Sequence, residues 1–342
     1  MKLKTAFAAM AVPLLVFSLA ACGTGTPSSS PVGSGTPSST PAAQVVKKIA
    51  FFGFWKSNSF TQAVLAGVQE AAAAEGIEVV DLSTADYDAA AQIKAMQDQT
   101  VKGDAQMYIT LASDPVGMGT AAKEAIDQGI TVVAAFTALG PKFDTLEPQV
   151  PGLIVVGETP IANGAVLAEL AATACETRNP CNVAYLEGFK ALPLDNARTA
   201  SFVSTLASKA PNAKLVAQVE GGYSPDSGKK AAQDVLQAQP DVNVMVGSSQ
   251  AIIGASSVVD TSKVALIGNG SSTEAFAAVN DGTWFAFYNM DVRGMGAKSV
   301  ELGLAAANGE NPTPSYNTQD LRDPHGTKDV IAPYKGTYSD LG

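Results

Sequence analysis

Short apolar runs alternate with alanine-rich helical stretches along the chain, and this alternation constrains the fold more than any other feature. The run KKIAFFGF from Lys47 predicts a strand. SFTQAVLAGVQEAAAAEG after it has apolar residues at helical spacing, with Gly76 as a helix stop. Further strands are predicted in IEVVDLS, AQMYITLAS, ITVVAAFT and GLIVVGE, with helices over residues 87–102 and 118–129. Strands that alternate with helices indicate an α/β fold with a parallel sheet.

The same order of elements begins again at CNVAYLEG, which predicts the first strand of a second set. Asp104 in GDAQMYI corresponds to Asp241 in PDVNVMV, and Ile130 in GITVVAA corresponds to Val264 in SKVALIG. The chain has 342 residues, which is enough for two domains of ordinary size. We therefore predict two similar α/β domains in tandem.

Charge and motif content argue against several classes of function. The chain has 22 basic and 32 acidic residues, and its net charge of -10 argues against nucleic acid as a partner. The single histidine, His325, argues against histidine-ligated metals and Ser-His-Asp catalysis. GGYSPDSGKK departs from a phosphate loop at Tyr223 and Lys230, and no nucleophile elbow occurs. Glu187 and Asp195 could form an acid/base pair, although such residues more often hold a loop or bind a hydroxyl group. We expect no metal, no cofactor and no enzymatic activity.

The N-terminus has the pattern of a secretory signal peptide over residues 1–21. Lys2 and Lys4 precede an apolar run over residues 6–17, which is too short for a membrane span. Leu-Ala-Ala-Cys-Gly at its end resembles a bacterial lipobox, in which Cys22 carries the lipid. The alternative is an ordinary signal peptide with a chance cysteine. Residues 22–46 are rich in Gly, Ser, Thr and Pro and without charge up to Gln44, so we predict a disordered tether behind a lipid anchor.

Two further cysteines, Cys175 and Cys181, lie close together in CETRNPC. In an exported protein such a pair predicts a disulfide. A redox pair is the alternative, but the spacing and the lack of a thioredoxin-like context argue against it.

The predicted topology also indicates where a site would lie. Ligands of open parallel sheets bind beyond the carboxyl ends of the strands, and a crevice between two such domains is the default pocket. The segments that follow the strands are therefore the candidates: 55–60, 112–115, 136–140, 187–198, 221–225, 247–250, 268–272 and 288–291. They are rich in serine, asparagine, glycine and aromatic residues.

Five short motifs carry a resemblance to a known family. They are Asn58-Ser59-Phe60 after the first strand, GITVVAA, LDNARTASF with Arg198, NVMVGSSQAIIGA, and VALIGNGSSTEAFAAVNDG. With these motifs in this order, residues 47 to 309 resemble the type I periplasmic binding proteins, in the branch that includes the ribose-binding proteins of ABC importers.

The resemblance implies two Rossmann-like lobes joined by a hinge of three strands and closing over a small solute. The crossings would lie near Gly157–Pro160, Tyr288–Asp291 and Pro314–Gln319. The first lobe would comprise residues 47–157 and 291–315, and the second residues 158–290 and 316–342. The resemblance also implies a monomer whose partners are an ABC permease and its ATPase, with no chemistry on the ligand.

The chain departs from the sugar binders of this family at three positions. Phe136-Thr137 stands where they often have Asp-Arg, Ser249-Gln250 stands at an Asn-Asp turn, and Asn269-Gly270 lacks the aspartate of the fifth strand. The pocket should therefore be less charged and more aromatic than a pentose site. A polyol, a cyclitol, a deoxy or modified sugar, or a partly apolar small molecule would suit it.

Each candidate ligand-binding residue also has a structural alternative. Trp55 could belong to the core, Asn58 could cap a helix, Phe136 could pack at a strand end, and Arg198 could form an ion pair with Glu187. The full set of candidates is Trp55, Asn58, Phe60, Ser113, Asp114, Phe136, Thr137, Glu187, Arg198, Tyr223, Ser249, Gln250, Asn269 and Asn289.

We expect an extracytoplasmic lipoprotein that binds a small hydroxylated solute for an ABC importer, anchored to the outer face of the cell membrane. A receptor of the same fold that serves a membrane sensor is one alternative. An exported α/β hydrolase is another, against which the missing nucleophile elbow counts.

Overall fold

The computed structural model describes residues 43–341. The predicted signal peptide, Cys22 and the tether as far as residue 42 lie outside the described residues. No helix within residues 43–341 combines the length and apolar character that a membrane crossing needs.

The first part of the described chain alternates strands with helices, as the sequence predicts. Its elements are β1 (Lys48–Phe52), α1 (Ser59–Ala74), β2 (Glu78–Asp81), α2 (Ala89–Lys102), β3 (Met107–Thr110), α3 (Pro115–Asp127), β4 (Thr131–Phe136) and β5 (Ile154–Gly157). The strands β1 and β3–β5 are nearly continuous runs of buried apolar residues, as expected where helices cover both faces of a parallel sheet.

A second set of elements follows. It comprises α4 (Pro160–Cys175), β6 (Cys181–Glu187), α5 (Pro193–Lys209), β7 (Ala213–Glu220), α6 (Pro225–Ala238), β8 (Val244–Ser248), α7 (Ser249–Ser256), β9 (Ala265–Asn269), α8 (Thr273–Asp281) and β10 (Ala286–Tyr288). The chain ends with α9 (Val292–Ala307), β11 (Ser315–Asn317), a 3-10 helix (Thr318–Leu321), β12 (His325–Gly326) and α10 (Lys328–Ile331).

The strands form two six-stranded sheets with the same order. The first sheet runs β11-β5-β4-β3-β1-β2, and the second runs β12-β10-β9-β8-β6-β7. All pairings are parallel except that of β10 with β12. The predicted tandem α/β architecture is therefore confirmed. We refer to the halves built on the first and second sheets as the first and second lobes.

The chain passes from one sheet to the other three times. It does so between β5 and α4, between β10 and α9, and between β11 and β12. Helix α9 returns to the first lobe, where it packs against α1 through Gly67 and Gly296. Strand β11 in the first sheet reaches Asn317, beyond the lobe boundary expected at residue 315.

A disulfide joins Cys175 at the end of α4 to Cys181 at the start of β6, with 5.4 Å between their Cα atoms. Both residues are buried. We expect that replacing both cysteines with serine lowers the free energy of unfolding by about 2 kcal/mol, since the crosslink restricts the unfolded chain. Urea denaturation of the oxidised protein and of the double variant measures this change. Equal midpoints, with free thiols at both positions in the native protein, would contradict the expectation.

Candidate functional site

A cavity lies between the lobes, at the carboxyl ends of their strands. Its accessible volume is about 70 Å³, several times the volume that one water molecule needs. Its walls are largely aromatic and neutral. The lining residues are Phe54, Asn58, Phe60, Tyr87, Ala112, Ser113, Phe136, Leu192, Leu194, Asp195, Arg198, Tyr223, Ser249, Gln250, Asn269, Gly270, Met290 and Tyr338.

The structure brings most of the residues predicted from the sequence together around this cavity. Those that line it are Asn58, Phe60, Ser113, Phe136, Arg198, Tyr223, Ser249, Gln250 and Asn269. Trp55, Asp114, Thr137, Glu187 and Asn289 do not line it, and each has another place in the structure.

Trp55 and Glu187 face other parts of the surface. Trp55 is half-buried against Tyr87, with ring centroids 5.8 Å apart, and lines an outer groove beside the C-terminal residues 337–341. Glu187 lies 3.1 Å from Lys190 Nζ and lines a separate surface groove. The alternative in which Arg198 forms an ion pair with Glu187 is wrong, because Arg198 pairs with Asp195.

Of the other three residues, Asp114 and Asn289 form hydrogen bonds to the backbone, and Thr137 is buried. Asp114 Oδ1 accepts from the amide of Val116 at 3.0 Å and caps α3. Asn289 Nδ2 donates to the carbonyl of Asp323 at 3.0 Å and so holds the second crossing to the chain before β12. Thr137 is buried next to Phe136, outside the cavity lining.

Phenylalanine rings form the wall of the cavity in the first lobe. Phe54 stacks on Phe60 with ring centroids 6.2 Å apart, and Phe60 meets the edge of Phe136 at 5.1 Å. Phe136 has a φ of 77°, in the left-handed region that a bulky side chain rarely adopts. Gly157 permits this backbone, since a Cβ there would lie 2.2 Å from the Phe136 carbonyl oxygen. Backbone strain of this kind, of order 1–3 kcal/mol, concentrates at ligand sites.

A buried charged cluster faces this wall from the second lobe. Arg198 Nη1 donates to Asp195 Oδ1 at 2.7 Å and to Tyr223 Oη at 3.0 Å, while Tyr223 Oη donates to the same carboxylate oxygen at 2.5 Å. Asp195 Oδ2 accepts from the amide of Phe189 at 2.8 Å. Burial by itself lowers the pKa of the Arg198 guanidinium, but Tyr223 and Asp195 raise that pKa above its ordinary value. The guanidinium therefore stays charged, and it lies 2.7 Å from the carboxylate of Asp195.

Two buried polar atoms at the cavity have no hydrogen-bond partner among residues 43–341. They are Arg198 Nε and Ser113 Oγ. Gln92 holds Ser113 in place, because its Oε1 accepts from the Ser113 amide at 2.8 Å while its Nε2 donates to the carbonyl of Leu111 at 2.6 Å. A buried polar group without a partner is costly, and both residues line the cavity, so their side chains are candidates for contact with a polar ligand.

Tyr87, which sequence reasoning missed, reaches across the cleft from the loop between β2 and α2. Its ring lies 5.2 Å from that of Phe189 and 6.1 Å from that of Tyr223, both in the second lobe. Gln250 Nε2 also crosses the cleft and donates to Ser59 Oγ at 3.0 Å. The lobes therefore touch across the cleft in this structure.

Tyr338 and Asp195 are the other lining residues with polar side chains that were not predicted as ligand contacts. Tyr338 comes from a tail that the sequence describes only as irregular, and its hydroxyl accepts from the amide of Ser271 at 3.2 Å. Asp195 was considered only as a partner of Glu187 in catalysis. Its position three residues before Arg198 on a helix was the available signal, because residues at this spacing share a face.

Glu158, which follows β5 in the first crossing, is 2% exposed. Burial raises the pKa of its carboxyl from the ordinary 4.5 to about 7, although hydrogen bonds from Tyr288 and Asn163 and the charge of Arg198 lower it. The folded protein therefore binds this proton more tightly than the unfolded chain does.

We expect Glu158 to make stability depend on pH. Its contribution is greatest at low pH and is lost as pH rises from about 4.5 to about 7, by on the order of 3 kcal/mol. Denaturant unfolding of wild type and of Glu158→Gln across this range isolates the effect, because the difference between them should change with pH. Glu187→Gln, at an equally buried carboxylate outside the cavity, is the control. A constant difference between wild type and Glu158→Gln would contradict the expectation.

Comparison with known proteins gives matches of family and of fold. Residues 49–311 match the sequence profile of a periplasmic binding protein domain. No curated protein matches the sequence. A periplasmic solute-binding protein of an ABC transporter from Actinobacillus succinogenes 130z, solved with D-allose, is 19% identical with a TM-score of 0.72, over 84% of this chain and 99% of its own.

Two further solved structures are similar. The Caulobacter myo-inositol binding protein with myo-inositol is 19% identical with a TM-score of 0.69, covering 79% of this chain and 90% of its own. A carbohydrate transporter solute-binding protein from Agrobacterium radiobacter with D-arabinose is 18% identical with a TM-score of 0.72, covering 84% and 96% respectively. At such identities the likeness shows a shared fold.

Proposed function

Because this chain belongs to the periplasmic binding protein family, we propose that it binds a small neutral hydroxylated solute between its lobes for an ABC importer. The family is one of solute-binding proteins and not of enzymes. The observation that carries the proposal is the cavity itself, in which an aromatic wall faces a charge-balanced polar cluster.

The two walls suit the two kinds of surface that a sugar or cyclitol presents. Phe60 and Phe136 offer ring surface to the C–H face of such a molecule. The side chains of Arg198 and Ser113, each with a polar atom that has no partner among residues 43–341, offer hydrogen-bonding groups to its hydroxyls. A solute that contacts both walls removes apolar surface from water and gives these two side chains a polar partner.

Charge narrows the class of solute further. Asp195 already neutralises Arg198 at 2.7 Å, so the cavity carries no net charge from this pair. An ionised ligand would bring an uncompensated charge into a buried site, which is strongly unfavourable. Sugars, polyols and cyclitols without acidic or basic groups are therefore the proposed class.

A thermal-shift screen tests this function directly. The probes are D-allose, D-arabinose and myo-inositol, which occupy the similar structures, with D-glucuronate as the charged control. A ligand at about 100 times its Kd adds about 2.7 kcal/mol, and this should raise Tm by several degrees. We expect at least one neutral probe to do so and glucuronate to have no effect. No shift with any neutral sugar or cyclitol would overturn the proposed class.

We also propose that the protein is a monomer held at the outer face of the membrane through lipid on Cys22. The lipobox-like Leu-Ala-Ala-Cys and the uncharged stretch over residues 23–44 support this proposal. A lipid anchor and a tether would keep the solute-binding lobes within reach of a permease.

Replacing Cys22 with serine should move the protein from the membrane fraction to the soluble fraction, because the thiol is the only group in the lipobox that can carry the lipid. Immunoblots of fractionated cells measure the change. The double serine variant of Cys175 and Cys181 is the control and should stay in the membrane fraction. Membrane association of Cys22→Ser would exclude the anchor.

A further inference from the structure

One carboxylate connects all three crossings of the hinge. Glu158 lies in the first crossing, and its Oε2 accepts from the hydroxyl of Tyr288 at the start of the second. The same hydroxyl accepts from Gln319 Nε2 of the third crossing at 2.8 Å. Glu158 and Tyr288 are both buried. A change in the charge or position of this carboxylate therefore affects all three segments that join the lobes.

The other oxygen of Glu158 leads to the cavity. Glu158 Oε1 accepts from Asn163 Nδ2 at 2.9 Å. Asn163 and Asn269 form a reciprocal amide pair, in which Asn163 Nδ2 donates to Asn269 Oδ1 at 3.1 Å and Asn269 Nδ2 donates to Asn163 Oδ1 at 3.0 Å. Asn269 lines the cavity at the end of β9.

This arrangement fixes which atoms Asn269 presents. An ionised carboxylate can only accept hydrogen bonds, so Glu158 holds the NH2 group of Asn163 towards itself. The orientation of Asn163 then fixes the amide of Asn269 through the two bonds of the pair. The remaining donor and acceptor sites of Asn269 are thereby directed in one way only.

We propose that Glu158 is a positioning residue of the binding site, which acts through Asn163 to orient Asn269 for the ligand and ties that orientation to the hinge. The inference rests on the proposed function, since it concerns a ligand contact in the same cavity. It assigns a role to two residues, Glu158 and Asn163, that do not line the cavity.

Protonation of Glu158 should disturb this role. The groups around the carboxyl are Tyr288, Asn163 and, through Tyr288, Gln319, and Arg198 is the charged group whose field reaches it. A protonated carboxyl donates at one oxygen and accepts only as a neutral group at the other, so the bonds that hold Tyr288 and Asn163 weaken together. The amide of Asn269 is then held less firmly, and the affinity for a hydroxylated ligand should fall.

Calorimetric titration tests the ligand side of the proposal. The probe is whichever of D-allose, D-arabinose and myo-inositol gives the largest thermal shift. Wild type should bind it about 3- to 10-fold more weakly at about pH 5.5 than at about pH 8.5, the effect of one lost hydrogen bond. Glu158→Gln should remove this dependence, because glutamine does not titrate. Glu187→Gln, the matched control, should keep it.

Side-chain amide NMR of the ligand-free protein tests the positioning by itself. The amide signals of Asn163 and Asn269 should shift with pH with a midpoint near 7 in wild type and stay fixed in Glu158→Gln. Signals that do not move, or a pH-dependent affinity that persists in Glu158→Gln, would overturn the proposal. Titrating amides in a protein that binds none of the three probes would overturn the proposed function instead, and leave the positioning intact.

Discussion

Replacing Arg198 with alanine should lower the free energy of unfolding by about 3–5 kcal/mol, because it leaves the buried charge of Asp195 without its partner. The side chains of Arg198 and Asp195 are only 5% and 2% exposed, so water cannot compensate for the loss. The variant should also lose measurable binding of the neutral solute, since one of the two unpaired polar atoms of the cavity goes with it. Urea denaturation measures the first effect and calorimetry the second.

A double variant separates stability from binding. Asp195→Asn combined with Arg198→Met removes both charges, and it should recover a large part of the lost stability without restoring ligand affinity. Lys230→Ala is the matched surface control. Its ion pair with Asp234 spans 3.0 Å, but the side chains are 78% and 61% exposed, so the loss should stay below about 0.5 kcal/mol. Equal free energies of unfolding for wild type and Arg198→Ala would contradict the claim that Arg198 compensates the buried charge of Asp195.

Replacing Tyr87 with alanine should weaken solute binding about 5- to 150-fold. Tyr87 makes two aromatic contacts across the cleft, with Phe189 and Tyr223, and each such pair contributes about 0.5–1.5 kcal/mol. Since these contacts exist only when the lobes touch, their loss shifts the population towards open forms and lowers the apparent affinity. Calorimetry gives the affinity, and small-angle X-ray scattering gives the radius of gyration with and without solute.

The control for closure is Tyr87→Phe, which keeps the ring and all its aromatic contacts. It should bind within about threefold of wild type, because the Tyr87 hydroxyl forms no hydrogen bond to residues 43–341 and only the ring makes the contacts across the cleft. If Tyr87→Ala bound the solute as tightly as wild type, the contacts across the cleft would have no part in closure.

The fold could be predicted from the sequence because its signals are local. Apolar runs such as the one that includes Phe51 and Phe52 are strands buried on both faces, and helices with clear stops such as Gly76 separate them. The order of these elements repeats, and each half closes into a sheet with the same strand order. A parallel sheet then places its strand ends at one edge, and this places the site.

The site could be predicted only where strand ends supply it. Phe136 and Asn269 are the last residues of β4 and β9, Phe60 lies in the first turn of the helix after β1, and all three line the cavity. Tyr87 and Tyr338 come from a loop and from the C-terminal tail, whose paths depend on tertiary contacts that no local pattern records.

The aromatic stretch after β1 shows the same limit. Phe54 and Trp55 are adjacent in sequence, but Phe54 lines the cavity while Trp55 packs beside Tyr87 and faces an outer groove. The chain bends at Phe54, beyond the end of β1, so the alternation of side chains along the strand does not predict which of the two residues faces the cavity. Composition alone cannot decide between the two.

A crystal structure of the protein with the most stabilising neutral probe tests the central claim most directly. We expect one solute molecule between the lobes, with a C–H face against Phe60 and Phe136 and hydroxyl groups within hydrogen-bonding distance of Arg198 and Ser113. A solute bound outside this cavity, with the space between the lobes unoccupied at saturating concentration, would contradict the account.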